Sequence, residues 1–165
     1  MIDPALKPAA IGNKSGDLLA RITSPKSTRY RLSRDGESAY IHVFCALDTI
    51  EYALIAGEHL SVVGYPPAGS VMRFTLTSTG PEPAAGWMST VIPGHTSQLP
   101  SVKGMPSRCC PYIHFFASKE MYAAWSKILP DGIRSHIECI SLSEAWQRAR
   151  RALTVCRPPL SCECQ

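Results

Sequence analysis

The sequence predicts an α+β fold, with antiparallel or mixed β-sheets and three main helices. Three observations predict it. Segments of alternating polarity come in runs, and stretches of helical period are few and set apart from one another. Fourteen prolines and eleven glycines in 165 residues cut the chain into short elements joined by turns. An apolar content of 45% with 18% charged residues suits a soluble globular chain, and the length is enough for one domain with a real core.

Residues 1–29 are low in pattern and rich in Lys, Ser, Pro and Ala, which predicts a loosely held N-terminal arm with at most a short helix at Gly16–Ile22. Tyr30–Ser33 alternates like a strand, Arg34–Glu37 is a turn signal, and Ser38–Phe44 alternates again. From Cys45 the period changes. Leu47, Ile50 and Leu54, with Tyr52 and Ile55, recur at helical spacing, and Gly57 closes the run as a C-cap. His59–Val63 and Val71–Thr77 read as strands around the Tyr65–Gly69 turn, Pro81–Gly86 as a loop, and Trp87–Ile92 as a further strand. The polar stretch from His95 to Arg108 is long enough to frame a site.

Beyond it, Ile113–Phe116 reads as a strand and Ser118 as the cap of a helix running to Leu129. Pro130-Asp131-Gly132 turns the chain into a strand at Ile133–Ile140. Ser141 and Glu144 have capping-box spacing for a final helix that carries Trp146, Ala149 and Leu153. Arg148, Arg150 and Arg151 suit the end of that helix. Residues 30–156 form the expected folded domain, and residues 157–165 a flexible, cysteine-bearing tail behind Pro158-Pro159.

The net charge of +4 is too small to demand a nucleic-acid partner. No run of about 18 apolar residues is present, so no membrane span is expected. Met1-Ile2-Asp3-Pro4 lacks the basic start and apolar run of a secretory signal. Seven cysteines cannot all pair internally, and the natural reading is a reducing cytosol in which free thiols bind metals or do chemistry.

Two strings carry that chemistry. In Phe44-Cys45-Ala46-Leu47-Asp48-Thr49, Cys45 stands at a helix start, where unpaired N–H groups favour thiolate, and Asp48 follows three residues on along the same face. A carboxylate beside a thiol can take its proton and deliver it elsewhere. The plainer reading is a core cysteine followed by an acidic first-turn residue. In Cys109-Cys110-Pro111-Tyr112-Ile113-His114-Phe115-Phe116-Ala117-Ser118, the adjacent thiols point to opposite faces of an extended segment, so one of them faces a pocket. The plainer reading is one core cysteine with an incidental neighbour. Structural zinc is disfavoured, since neither C-x-x-C nor a His pair at ligand spacing occurs. His114 reads as a satisfied strand histidine, Cys139 as a core residue of a strand, Trp125 and Trp146 as apolar anchors, and Cys156, Cys162 and Cys164 as a loose tail cluster. No phosphate-loop, dinucleotide-binding, nucleophile-elbow or H-E-x-x-H motif is present.

Taken jointly, the strings resemble the two active-site segments of the organomercurial (alkylmercury) lyases. The first match continues through Ala53-Leu54-Ile55, and the second through His114–Ser118 and Trp125. The order and the intervening strands match as well, so that the resemblance runs from Tyr30 to Trp146. It implies protonolysis of the carbon–mercury bond to a hydrocarbon and Hg(II) in the cytoplasm. Cys45 and Cys109 would be the mercury-binding thiols, Asp48 the proton carrier, and Cys110 a dispensable neighbour. No cofactor is implied. The partners would be the organomercurial substrate and, as Hg(II) acceptors, small thiols or a mercuric reductase. Members usually carry a helical front domain, for which the residues before Tyr30 are too few, so a more open pocket or a covering partner chain is expected. Some members have a further internal cysteine where this chain places Tyr65. Two other readings keep the scaffold. A soft-metal-binding protein would need no Asp48, and a thiol enzyme for another organometallic or biosynthetic substrate would use the same three residues.

Overall fold

The computed structural model describes residues 14–155, which form two antiparallel sheets and five helices. The larger sheet has the order β2-β1-β3-β4-β5, from Ile41–Val43, Tyr30–Ser33, Leu60–Gly64, Met72–Thr77 and Gly80–Glu82. The smaller has the order β7-β6-β8, from Phe115–Phe116, Trp87–Val91 and Ile137–Ser141. Helix α2 (Ala46–Ala56) lies on the larger sheet, between α1 (Lys14–Ile22) and α5 (Leu142–Val155). Helix α3 (Lys119–Ser126) packs on β6 and β7, and α4 (Asp131–Arg134) is a single turn before β8.

Aromatic packing ties the sheets together. Phe115 of β7 sits edge-on to Tyr30 of β1 at 5.5 Å and to Phe74 of β4 at 5.1 Å. This is the geometry in which the positive edge of one ring meets the negative face of the next. Gly64 makes the approach feasible, because a Cβ there would come within 3.3 Å of both Phe115 and Tyr30. At the end of α2, Gly57 takes the left-handed conformation (φ 65°) that lets its N–H cap Ala53 O.

The α+β class and the three main helices α2, α3 and α5 agree with expectation, and several boundaries differ for physical reasons. Where a loose arm is expected, α1 packs on α2 and Thr23 bridges to Val43. The expected loop after residue 80 begins with strand β5, which tolerates Pro81 because it is a sheet edge with only one hydrogen-bonded neighbour. The third helix region stops at Ser126, and the strand after Pro130 starts only at Ile137. Cys139 of that strand is half-exposed rather than core. Residues 1–13 and the tail from Cys156 lie outside the described residues, so the expected tail is not among them. No helix of the described residues is long and apolar enough to cross a membrane.

Candidate active site

Helix α2 presents the first two functional groups. Cys45 is its N-cap residue, with extended backbone (φ −147°, ψ 175°), and the Asp48 carboxylate accepts the Cys45 backbone N–H at 3.0 Å. An N3 acid reaching back to the N-cap N–H is one half of a capping box, so local helix logic alone fixes the distance between the two residues. The next free donor of the helix, Ala46 N–H, bonds Ile113 O at 3.2 Å. Helix starts leave such donors without intrahelical partners. Here the partner carbonyl belongs to the second cysteine string, and this bond docks that string on Cys45.

The second string is not extended at its start. Cys110–Tyr112 is a 3₁₀ turn with Pro111 in its first positions, and the chain becomes strand only at Phe115. Side chains hold the turn in place. Ser89 Oγ donates to Tyr112 O at 2.7 Å and accepts His114 N–H at 2.9 Å. Ser107 Oγ accepts Cys110 N–H at 3.3 Å and donates to Cys110 Sγ at 3.2 Å.

As a result Cys45 Sγ, an Asp48 carboxylate oxygen and Cys110 Sγ all lie within 4.8 Å of one another. The fold brings together Cys45 and Asp48 as expected, but the sulfur beside them is that of Cys110. Cys109, expected as the second mercury thiol, is fully buried, disulfide-bonded, and has its Sγ 3.5 Å from Thr96 Oγ1. A disulfide sulfur carries no thiolate with which to bind a metal. The sulfur that the fold sets beside Cys45 and Asp48 is thus that of Cys110, and Cys109 lies outside the cluster. Alternation leaves open which of the two thiols faces a pocket, and Cys109 is what the resemblance implies; in the 3₁₀ turn it is Cys110 that lines the cleft.

The electrostatics of the cluster follow from burial. Burial pushes the Cys45 thiol well above its usual range, and the Cys110 hydrogen bond and Asp48 charge add to the effect. The thiolate-favouring pull expected at a helix start is thus outweighed by the loss of water. Asp48, 6% exposed, is raised to about 7, chiefly by burial, with hydrogen bonds from Cys45 and Phe44 opposing the shift. A carboxyl at that value can both accept and deliver a proton near neutrality.

One further buried residue, Glu51, feels the charges of the cluster and is not among the residues that the sequence singles out. Glu51 is 1% exposed, its Oε1 has no hydrogen-bond partner, and burial together with the charges of Asp48 and Cys110 raises its carboxyl well above the usual range. The signal was available, since Glu51 stands four residues after Leu47, on the buried face of an apolar helix.

A cleft of about 790 Å³ reaches the cluster from outside, lined by Cys110, His114, Trp125, Phe44 and Met105 and by residues 24–30. Met105 belongs to the long polar loop expected to frame a site. Cys45 and Asp48 are absent from the cleft lining and lie behind Cys110.

The profile of one protein family, described as "MerB: Alkylmercury lyase", matches residues 23–154. Among solved structures, the chain is similar to the one described as "Crystal structure of the mercury-bound form of MerB2". The TM-score is 0.53 with 17% sequence identity, over 76% of this chain and 57% of that one. The chain therefore spans little more than half the length of that relative. No curated protein matches the sequence.

Proposed function

This chain belongs to the alkylmercury lyase family, and from that premise we propose that it cleaves the carbon–mercury bond of organomercurials by protonolysis. The observation that carries the reading is the convergence of two free thiols and one carboxyl within 4.8 Å, at the inner end of a cleft. Mercury is the substrate atom that fits such a set, because soft thiolate sulfur outcompetes oxygen and nitrogen for soft metals. A pure metal binder would have no use for a proton carrier at Asp48.

The order of events follows from exposure. Cys110 faces the cleft and meets R–Hg⁺ first, forming an S–Hg bond and releasing its proton. Cys45, behind it, passes its proton to the Asp48 carboxylate and adds its sulfur to the same mercury. The extra electron density weakens the mercury–carbon bond. Asp48 delivers the proton to the departing carbon, so R–H leaves and Hg(II) stays on two thiolates. The sum is R–Hg⁺ and two thiols in, with R–H, a bis-thiolate Hg(II) and one proton out. Holding donor and carbon in contact replaces an encounter in solution, and properly oriented groups gain much from that. Asp48, Cys45 and Cys110 supply this chemistry without a resident cofactor. Small thiols, or the thiols of a mercuric reductase, would then take Hg(II) by exchange.

The test is to incubate the full chain with methylmercury and excess small thiol and to measure methane. Methane in multiple turnovers is the expected result. Stoichiometric mercury binding without methane would leave the chain a soft-metal binder and overturn the reading.

A further inference from the structure

We infer that Tyr30 and His114 form a positioning pair that holds Cys110 at the distance from Cys45 needed for both sulfurs to reach one mercury. The inference rests on the proposed lyase reading for its catalytic consequence, but not for its effect on metal binding.

The hydrogen bonds leave little freedom. His114 Nε2 lies 2.9 Å from Pro111 O, and a carbonyl only accepts, so Nε2 carries the ring proton. Nδ1 is then the acceptor, and Tyr30 O–H donates to it at 2.6 Å. Burial holds His114 down to about 4, so the imidazole keeps this neutral tautomer at neutral pH. The chain of contacts therefore runs from β1, through one ring, to the carbonyl directly after Cys110. Trp125 braces the ring from the side, edge to face at 5.3 Å.

This carbonyl needs an outside donor to be fixed. The turn has one internal bond at each of its flanks, Tyr112 N–H to Cys109 O and Ile113 N–H to Cys110 O, and neither uses Pro111 O. Ser89 fixes the carbonyl of Tyr112, and Ser107 fixes the N–H of Cys110. Pro111, lying between them, is held by His114. Partners behind a ligand set its orientation, and their loss typically costs about 10–100-fold in metal affinity or activity. The Cys45 side needs no such support, since its helix and Asp48 fix it locally.

The experiment compares Tyr30→Phe, His114→Phe and His114→Gln in the full chain. Gln can place an amide N–H near the position of Nε2 and so restore the bond to Pro111 O. Two quantities are read. One is Hg(II) affinity by competition with an aminopolycarboxylate chelator, which leaves the Cys109 disulfide intact, and the other is the split of hydrocarbon release into kcat and KM. Tyr30→Phe and His114→Phe should weaken Hg(II) binding about 10–100-fold. They should lower kcat by a similar factor, with KM within about threefold, because capture by Cys110 alone survives. His114→Gln should recover most of both. Tyr30→Phe removes one oxygen and keeps the ring packing, so it serves if His114→Phe does not fold. Hg(II) affinity within threefold of the parent in folded Tyr30→Phe would overturn the pair's role, as would losses in His114→Gln equal to those in His114→Phe. A parent protein that releases no hydrocarbon yet loses Hg(II) affinity in the variants would sink the lyase reading and leave the positioning pair standing.

Discussion

The two sulfurs of the site are carried in different ways. Cys45 caps an eleven-residue helix, and its partner Asp48 stands three residues away and is tied to it through the backbone. Cys110 sits on a single 3₁₀ turn whose place is set by Ser89, by Ser107 and by the ring of His114. One sulfur is placed by local helix geometry, and the other by contacts spread from residue 30 to residue 114. The helix-borne half should therefore tolerate changes elsewhere in the fold, whereas the turn-borne half should lose its aim when distant supports change.

Two large effects are expected, and the first should separate proton delivery from metal capture. Asp48→Asn keeps an oxygen for the Cys45 N–H but cannot carry a proton. Hydrocarbon release should fall by about 10²–10⁴-fold, the usual worth of a general acid, while Hg(II) binding stays within a few-fold. Gas release and mercury titration on the same sample check this, and undiminished release would remove Asp48 from the reaction.

Next comes the choice between neighbouring cysteines. Cys110→Ser should reduce cleavage to background. Cys109→Ser should retain single-turnover cleavage but lose about 2–5 kcal/mol of stability with its disulfide, read by denaturant unfolding. The opposite pattern would restore Cys109 as the second mercury ligand and break the comparison at its root.

A third prediction concerns pH. Burial holds the Asp48 carboxyl up at about 7 in the folded protein, against 3.8 for a free aspartate. Between those values the folded state binds more protons than the unfolded one. Stability is thus fully present below the lower value and declines as pH rises through about 7. Glu51 is shifted in the same direction. Glu51→Gln should remove part of the decline and raise the melting temperature at pH 8. The gain should grow from pH 5 to pH 8, because Gln keeps a buried polar group but cannot ionise. A variant whose melting temperature tracks the parent from pH 5 to 8 would show that Glu51 is not paying this desolvation cost.

The smallest effect should fall outside both halves. Ser118 Oγ accepts the Met121 N–H at 3.3 Å and caps α3. Ser118→Ala should cost about 1 kcal/mol by chemical denaturation and leave the cleavage rate unchanged. A fall in rate would mean that the cap of α3 also sets Trp125 where it lines the cleft.

Local rules account for what was legible in advance. The period from Leu47 to Leu54 and the glycine behind it define α2 to within a residue, and the same rules put Cys45 and Asp48 on one helix start. Ser141 and Glu144 mark the start of α5, where Ser141 Oγ accepts the Glu144 N–H at 3.1 Å. Strand β5 was hidden because a Gly-Pro-Glu segment gains strand character only from its neighbour β4. Glu51 went unremarked because its unpartnered oxygen is a property of what surrounds it, not of the residue.

The sequence by itself determined the α+β class, the helix that bears Cys45 and Asp48, and the presence of a second thiol string before an apolar strand. These follow from interactions over a few residues, where spacing and residue type suffice. Only the tertiary structure decided that Cys110 rather than Cys109 turns toward Cys45, that burial outweighs the helix start at the thiol, and that His114 holds the turn. Each of those depends on groups far apart in the chain meeting where water has been excluded.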